Sequence, residues 1–169
     1  MDEQNPYRSP SAAIVEPAGE ELASPWARLG AAILDVIIYL VVMFPLMFLG
    51  GYWQAVMNSA QASESAPIGL MLMWAVIGFV VFFAIHGYPL NATGQTWGKR
   101  IAGVKIVDLS GAKPSLARII GLRYVPIGIL SSIPFVGMII GLIDVLLIFR
   151  ADRRCGHDLI AGTKVVQAK

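Results

Sequence analysis

Three ionisable residues stand inside or at the edge of long apolar runs: Arg28, Asp35 and Asp144. An aspartate at the centre of a membrane helix costs about 2.5–3.5 kcal/mol on the insertion scale, so two of them in one chain mark candidate functional positions. Two chemistries suit them. They could carry a proton or a cation, or they could join helices as a fixed polar clasp. Arg28 precedes Asp35 by about two helical turns and shares its face, too far along the axis for a direct pair. Ala31 and Ala32 lie between them and leave a face that another helix can approach closely. Gly137 and Gly141 form a Gly-x-x-x-Gly step one turn before Asp144, which turns Asp144 towards a packed helix interface and away from lipid. Both carboxylates fall at similar depth, so the spacing allows them to meet. In a low dielectric such a pair needs a proton, a bound cation or Arg28 to balance its charge.

The elements that must position these residues are membrane helices. Of 169 residues, 56% are hydrophobic and only 14% charged, with mean hydropathy +0.67. A soluble domain is about a quarter charged. Leu29 to Leu49 and Pro67 to Ile85 are each long and apolar enough to cross a bilayer, with Trp26 and Tyr52-Trp53 at interfacial positions. The third apolar region, Ser115 to Phe149, is too long for one span and contains Ser131-Ser132 and Pro134. It is expected to break there into two shorter helices, which either cross or form a re-entrant hairpin. The reading is an all-α membrane protein, a small bundle of two helical hairpins with helices at about 26–50, 67–88, 115–131 and 135–149. Short β-like segments lie on the cytoplasmic side.

Basic residues set the expected orientation. Of 13 Lys and Arg residues, six lie between Lys99 and Arg123 and five between Arg150 and Lys169, whereas residues 50–66 have none. The 50–66 connection should face out and both termini should be cytoplasmic. The first 25 residues are acidic and rich in Pro, without the pattern of a cleaved secretory signal, and are expected to form a disordered tail. Within it, Asn5 to Pro10 could dock a cytoplasmic protein, although such a segment is more often a linker. A net charge of +2 gives no argument for nucleic acid.

Ile101 to Val107 (IAGVKIV) repeats as Ile160 to Val166 (IAGTKVV), each copy following a hydrophobic hairpin. Each hairpin also opens similarly, with Ala27-Arg28-Leu29-Gly30 and Ala117-Arg118-Ile119-Ile120-Gly121. Two related halves follow. Val104–Asp108 and Thr163–Gln167 mix β-branched and polar residues, so they pair as a ribbon or serve only as basic juxtamembrane segments.

This pattern resembles the RDD family of bacterial membrane proteins, named for one Arg and two Asp. The resemblance covers about residues 24–167. It rests on Trp26-Ala27-Arg28-Leu29 with Asp35, on Asp144, on Gly94 to Asp108, and on His157-Asp158-Leu159-Ile160-Ala161-Gly162-Thr163. By position it implies Arg28, Asp35 and Asp144 as the namesake residues. It also implies a bacterial inner-membrane location, three predicted spans where the basic segments here call for an even number, and sodium/proton antiport as one suggested activity.

Other signals are weaker. Gly94 to Arg100 has the wrong glycine spacing for a phosphate loop and Arg100 where Ser or Thr is needed, which argues against nucleotide binding. His86 and His157 lack a second ligand at metal spacing, and Cys155 is a single cysteine beside Arg153 and Arg154 with no catalytic partner in sight. The arginines Arg150, Arg153 and Arg154 suit a lipid-headgroup anchor. No nucleophile and base pair points to an enzyme, and no cofactor is indicated. Two functions remain: a cation or proton transporter, which with so few helices implies a homo-oligomer, or a non-enzymatic membrane scaffold or accessory subunit.

Overall fold

The computed structural model describes residues 21–131, 133 and 136–168. The N-terminal tail and its docking segment lie outside these residues, as do Ser132 and Pro134. The chain is an all-α membrane protein with one small ribbon. Helix α1 covers Pro25–Leu49, α2 Tyr52–Gln61 and α3 Ile68–Thr93. Ser24 caps α1 by accepting from Ala27 N at 3.1 Å, and Pro25 occupies the first turn, where its missing N–H costs nothing. Helix α3 continues past Pro89 to a C-terminal stop at Gly94, which takes φ +70°. A Cβ on Gly94 would lie 2.8 Å from the Ile106 carbonyl, so glycine is required there twice over. Helices α1 and α3 pack where Gly78 faces Tyr39; a Cβ on Gly78 would stand 2.5 Å from the Tyr39 hydroxyl.

The second half is shorter. Helix α5 (Leu116–Arg118) runs into a π-helical stretch, Ile119–Tyr124, and then into α6 (Val125–Ser131). After the break comes α7 (Val136–Leu146), finished by a 3₁₀ turn at Leu147–Phe149. Val136 to Phe149 is apolar but spans only about 21 Å as a helix, short of a full hydrocarbon core.

Each half ends in a short helix and a strand: α4 (Trp97–Ile101) with β1 (Val104–Asp108), and α8 (Gly156–Ala161) with β2 (Thr163–Gln167). The repeated segments form the ribbon. β1 and β2 pair antiparallel, with Ile106 opposite Val165 at the centre and Val104 opposite Gln167. The chain before α1 lies along the outer side of β2, where Ala23 N donates to Val165 O at 3.0 Å.

The core sits around this ribbon and not among the long helices. Ala23, Ala31, Leu90, Val104, Ile106, Ile119 and Val165 form its fully buried cluster. By contrast, α1 and α3 expose large apolar side chains along their lengths, among them Ile37, Val41, Leu72 and Val76. That distribution suits helices whose solvent is lipid, and among the described residues these are the two helices long and apolar enough to cross a membrane.

Candidate functional site

The site lies where the N-terminal half of α1 and the C-terminal end of α3 meet the two short helices. Asp35, on α1, is held by the N-terminus of α4. Its carboxylate accepts from the Thr96 hydroxyl at 2.5 Å and from Gly98 N at 2.7 Å, with Lys99 Nζ at 3.5 Å and His86 Nδ1 at 3.8 Å. A carboxylate is stabilised at that position by the unpaired N–H groups of the first helical turn. Contact this close is possible only because residue 98 is glycine: an added Cβ would overlap the Ala31 carbonyl and lie 2.8 Å from Asp35 Oδ1.

Asp144, on α7, is held in the same manner by α8. It accepts from His157 N at 3.0 Å, and its second oxygen lies 2.5 Å from His157 Nδ1. Aligning the two repeats places Gly98 at the step of His157, so both backbone N–H donors occupy one equivalent position. Asp35 and Asp144 were expected to lie at a depth where they could meet. The structure instead gives each its own short helix, because backbone donors at a helix start satisfy a carboxylate without a shared proton or cation.

Arg28 binds neither of them. It crosses to α8, where Nη2 lies 2.6 Å from Asp158 Oδ2 and 3.3 Å from Cys155 Sγ, and Nη1 donates to the Arg153 carbonyl. Arg123, from the π-helical stretch, reaches Asp158 Oδ1 and also donates to the Thr163 hydroxyl at 2.7 Å. Asp158 is therefore shared by two arginines and further accepts from Cys155 N at 3.1 Å and Thr163 Oγ1 at 3.0 Å. Burial by itself would raise the Asp158 pKa, but Arg123, then His157 and Arg28, hold it well below the usual carboxylate range. Burial, then Arg123, lowers the pKa of His157. The pair Arg123 and Asp158 was not singled out from the sequence. Arg123 counted only as one of the inner basic residues, and Asp158 only as a letter of the closing motif. The signal that could have found Asp158 is the repeat, which sets it against Lys99, a reversal of charge at a shared step.

Gly137 is buried within the chain, and Gly141 is half-buried. Both lie on α7, whose N-terminal part packs on α6. Asp144, Cys155 and His157 each bring a ligand-type atom within 4.8 Å of the others. As a metal donor set they are poorly disposed. Burial pushes the Cys155 thiol up to about 11, Arg28 already sits on its sulfur, and His157 Nδ1 is engaged by Asp144.

The sequence pattern of the RDD family matches residues 22–162. The chain belongs to the RDD family. It is 36% identical over 156 residues, which is 92% of this chain and 87% of the relative, to "Uncharacterized protein YckC" of Bacillus subtilis (strain 168). No solved structure matches it. In this RDD protein the contacts of Arg28 therefore come from its own geometry: its partner is the aspartate of the closing motif, Asp158.

Proposed function

We propose that this RDD protein is a non-enzymatic scaffold or accessory subunit of the bacterial cytoplasmic membrane. It crosses the membrane more than once, with both termini and the ribbon on the inner side. The carrying observation is that Arg28, Asp35, Asp144 and Asp158 are all engaged by partners within the chain, which supports a fixed clasp over moving carriers. The clasp mounts the α4–β1 and α8–β2 units rigidly beneath the helices, a stable platform on which a cytoplasmic partner, or the N-terminal tail's partner, can dock. The inner basic residues around Arg100, Arg150 and Arg154 support this orientation.

A cation or proton transporter is the second reading, and one observation favours it. His86 is fully buried in α3 beside Asp35 and Lys99, and its Nε2 has no hydrogen-bond partner among the described residues. Such a group could relay a proton, with a homo-oligomer enclosing the path. Cation-driven proton flux in proteoliposomes separates the two readings, using wild type, Asp35→Asn and Asp144→Asn. The scaffold reading expects no flux from folded wild type and a lower Tm in both variants. Flux in wild type that either variant abolishes would replace it with transport.

A further inference from the structure

Between α1, α7 and the ribbon lies a cavity of about 70 Å³. Its polar wall consists of Arg28, Lys99, Arg123, His157 and Cys155, and no carboxylate lines it. That composition is unusual in this part of the molecule, where Asp158 pairs with Arg28 and Arg123, Asp35 stands 3.5 Å from Lys99 and Asp144 holds His157, yet none of the three carboxylates lines the space. Three cationic side chains thus converge on one space with their counter-charges behind them. A largely apolar space whose charged lining is cationic favours an anion.

Two further observations point to a ligand. Arg123 is 2% exposed, and its Nε–H has no hydrogen-bond partner among the described residues, although Nη1 serves both Asp158 and Thr163. A buried guanidinium donor left over in this way, with both bonds made from Nη1, costs free energy unless an acceptor meets it. Lys99 is held loosely, its Nζ standing 3.4 Å from the Thr96 hydroxyl and 3.5 Å from Asp35, so it can turn to a better acceptor.

We infer that this cavity binds a small oxyanion of the phosphate type through Arg28, Lys99 and Arg123. Guanidinium groups match the spread acceptors of an oxyanion better than they match a halide. The volume is about that of two water molecules, enough for one phosphate-sized group and too small for a nucleotide. The wall also includes Ala32 and Val145, and Val145 is 38% exposed, which brings the cavity to the apolar surface. The same chemistry is therefore offered to free inorganic phosphate and to the headgroup of an anionic phospholipid whose chains lie along α1 and α7. The site is independent of whether the protein is a scaffold or a transporter.

The test is thermal unfolding of the full-length protein. In detergent, inorganic phosphate is compared with gluconate at matched ionic strength. In nanodiscs, phosphatidylglycerol is compared with phosphatidylcholine. Phosphate well above its Kd should raise Tm by about 5 °C or more, identifying the free ion. A rise confined to phosphatidylglycerol identifies the headgroup. In either case Lys99→Gln, which removes the least engaged cation, should cut the rise by more than half, and Arg123→Lys, which keeps a charge on Asp158 but lacks the Nε donor, should cut it too. Equal Tm in phosphate and gluconate together with equal Tm in the two lipids overturns the inference. So does a rise that Lys99→Gln, shown folded by its own cooperative melt, leaves intact.

Discussion

Helices α4 and α8 follow one backbone plan and carry opposite charges at the same step. Each starts one residue before a donor N–H, each holds an aspartate of a preceding apolar helix on that donor, and each leads into one strand of the ribbon. At the next residue the two part. Lys99 stays within its own half and leans towards Asp35, whereas Asp158 collects Arg28 from the first half and Arg123 from the second. The duplicated backbone thus mounts each short helix on its own hairpin, and the changed side chain joins the hairpins to each other. A further tie reinforces the second unit, where Arg118 donates from Nε to the Ala161 carbonyl at 2.8 Å and so closes the C-terminal end of α8.

If this contrast is right, the largest loss comes from the shared carboxylate. Asp158→Asn should leave two buried guanidinium groups without their counter-charge and cost about 3–5 kcal/mol, read as a collapse of Tm or of folded yield in detergent. A loss no greater than that of Asp35→Asn would erase the distinction between the two units. Next come the glycines. Gly98→Ala should cost about 1–3 kcal/mol because its Cβ meets the α1 backbone, while Gly156→Ala should cost less because its Cβ would stand 2.9 Å from the movable carboxylate of Asp144. Equal costs would mean that α8 presses on α7 as tightly as α4 presses on α1.

Smaller effects follow from titration. His157 has a folded pKa below its unfolded value of about 6.5, so the neutral ring contributes stability that is present above that pH and lost as pH falls through the folded value. Hydrogen-exchange protection factors at α8 and β2, corrected for the intrinsic pH dependence of amide exchange, should therefore fall on acidification below about pH 6.5. The Asp158 contribution is lost at lower pH than that of His157: it is complete above the unfolded carboxylate value of about 3.9 and declines as pH falls from there towards its depressed folded value. The smallest effect is chemical. With its thiol pushed up to about 11, Cys155 should resist maleimide at neutral pH in the folded protein and react only on unfolding. Rapid labelling of folded protein would show that the α8 anchor opens freely.

Much of the fold was legible because its signals are local. Leu29 to Leu49 and Pro67 to Ile85 declare themselves by apolar length, and α1 and α3 are found there. Ser131 to Pro134 suggested a break, and α6 ends at Ser131 while α7 begins at Val136. The ribbon was legible from the repeat, since two similar β-branched segments at equivalent positions can pair around a pseudo-twofold relation. The π-helical stretch at Ile119–Tyr124 had no such signal, because its residues read as ordinary helix. The site was half legible. Cost of burial drew attention to Asp35 and Asp144, but Asp158 sits in a polar motif where a carboxylate looks unremarkable until the fold buries it completely.

By itself the sequence determined the solvent of this protein, the number of its apolar runs and the kinship of its halves, because hydropathy and repetition are properties of neighbours in the chain. Only the tertiary structure decided which charge answers which. Arg28 and Asp158 are separated by 130 residues and share no helical face until the ribbon draws α8 under α1. Charge pairing is a matter of distance in space and of local dielectric, and both are created by the packing itself.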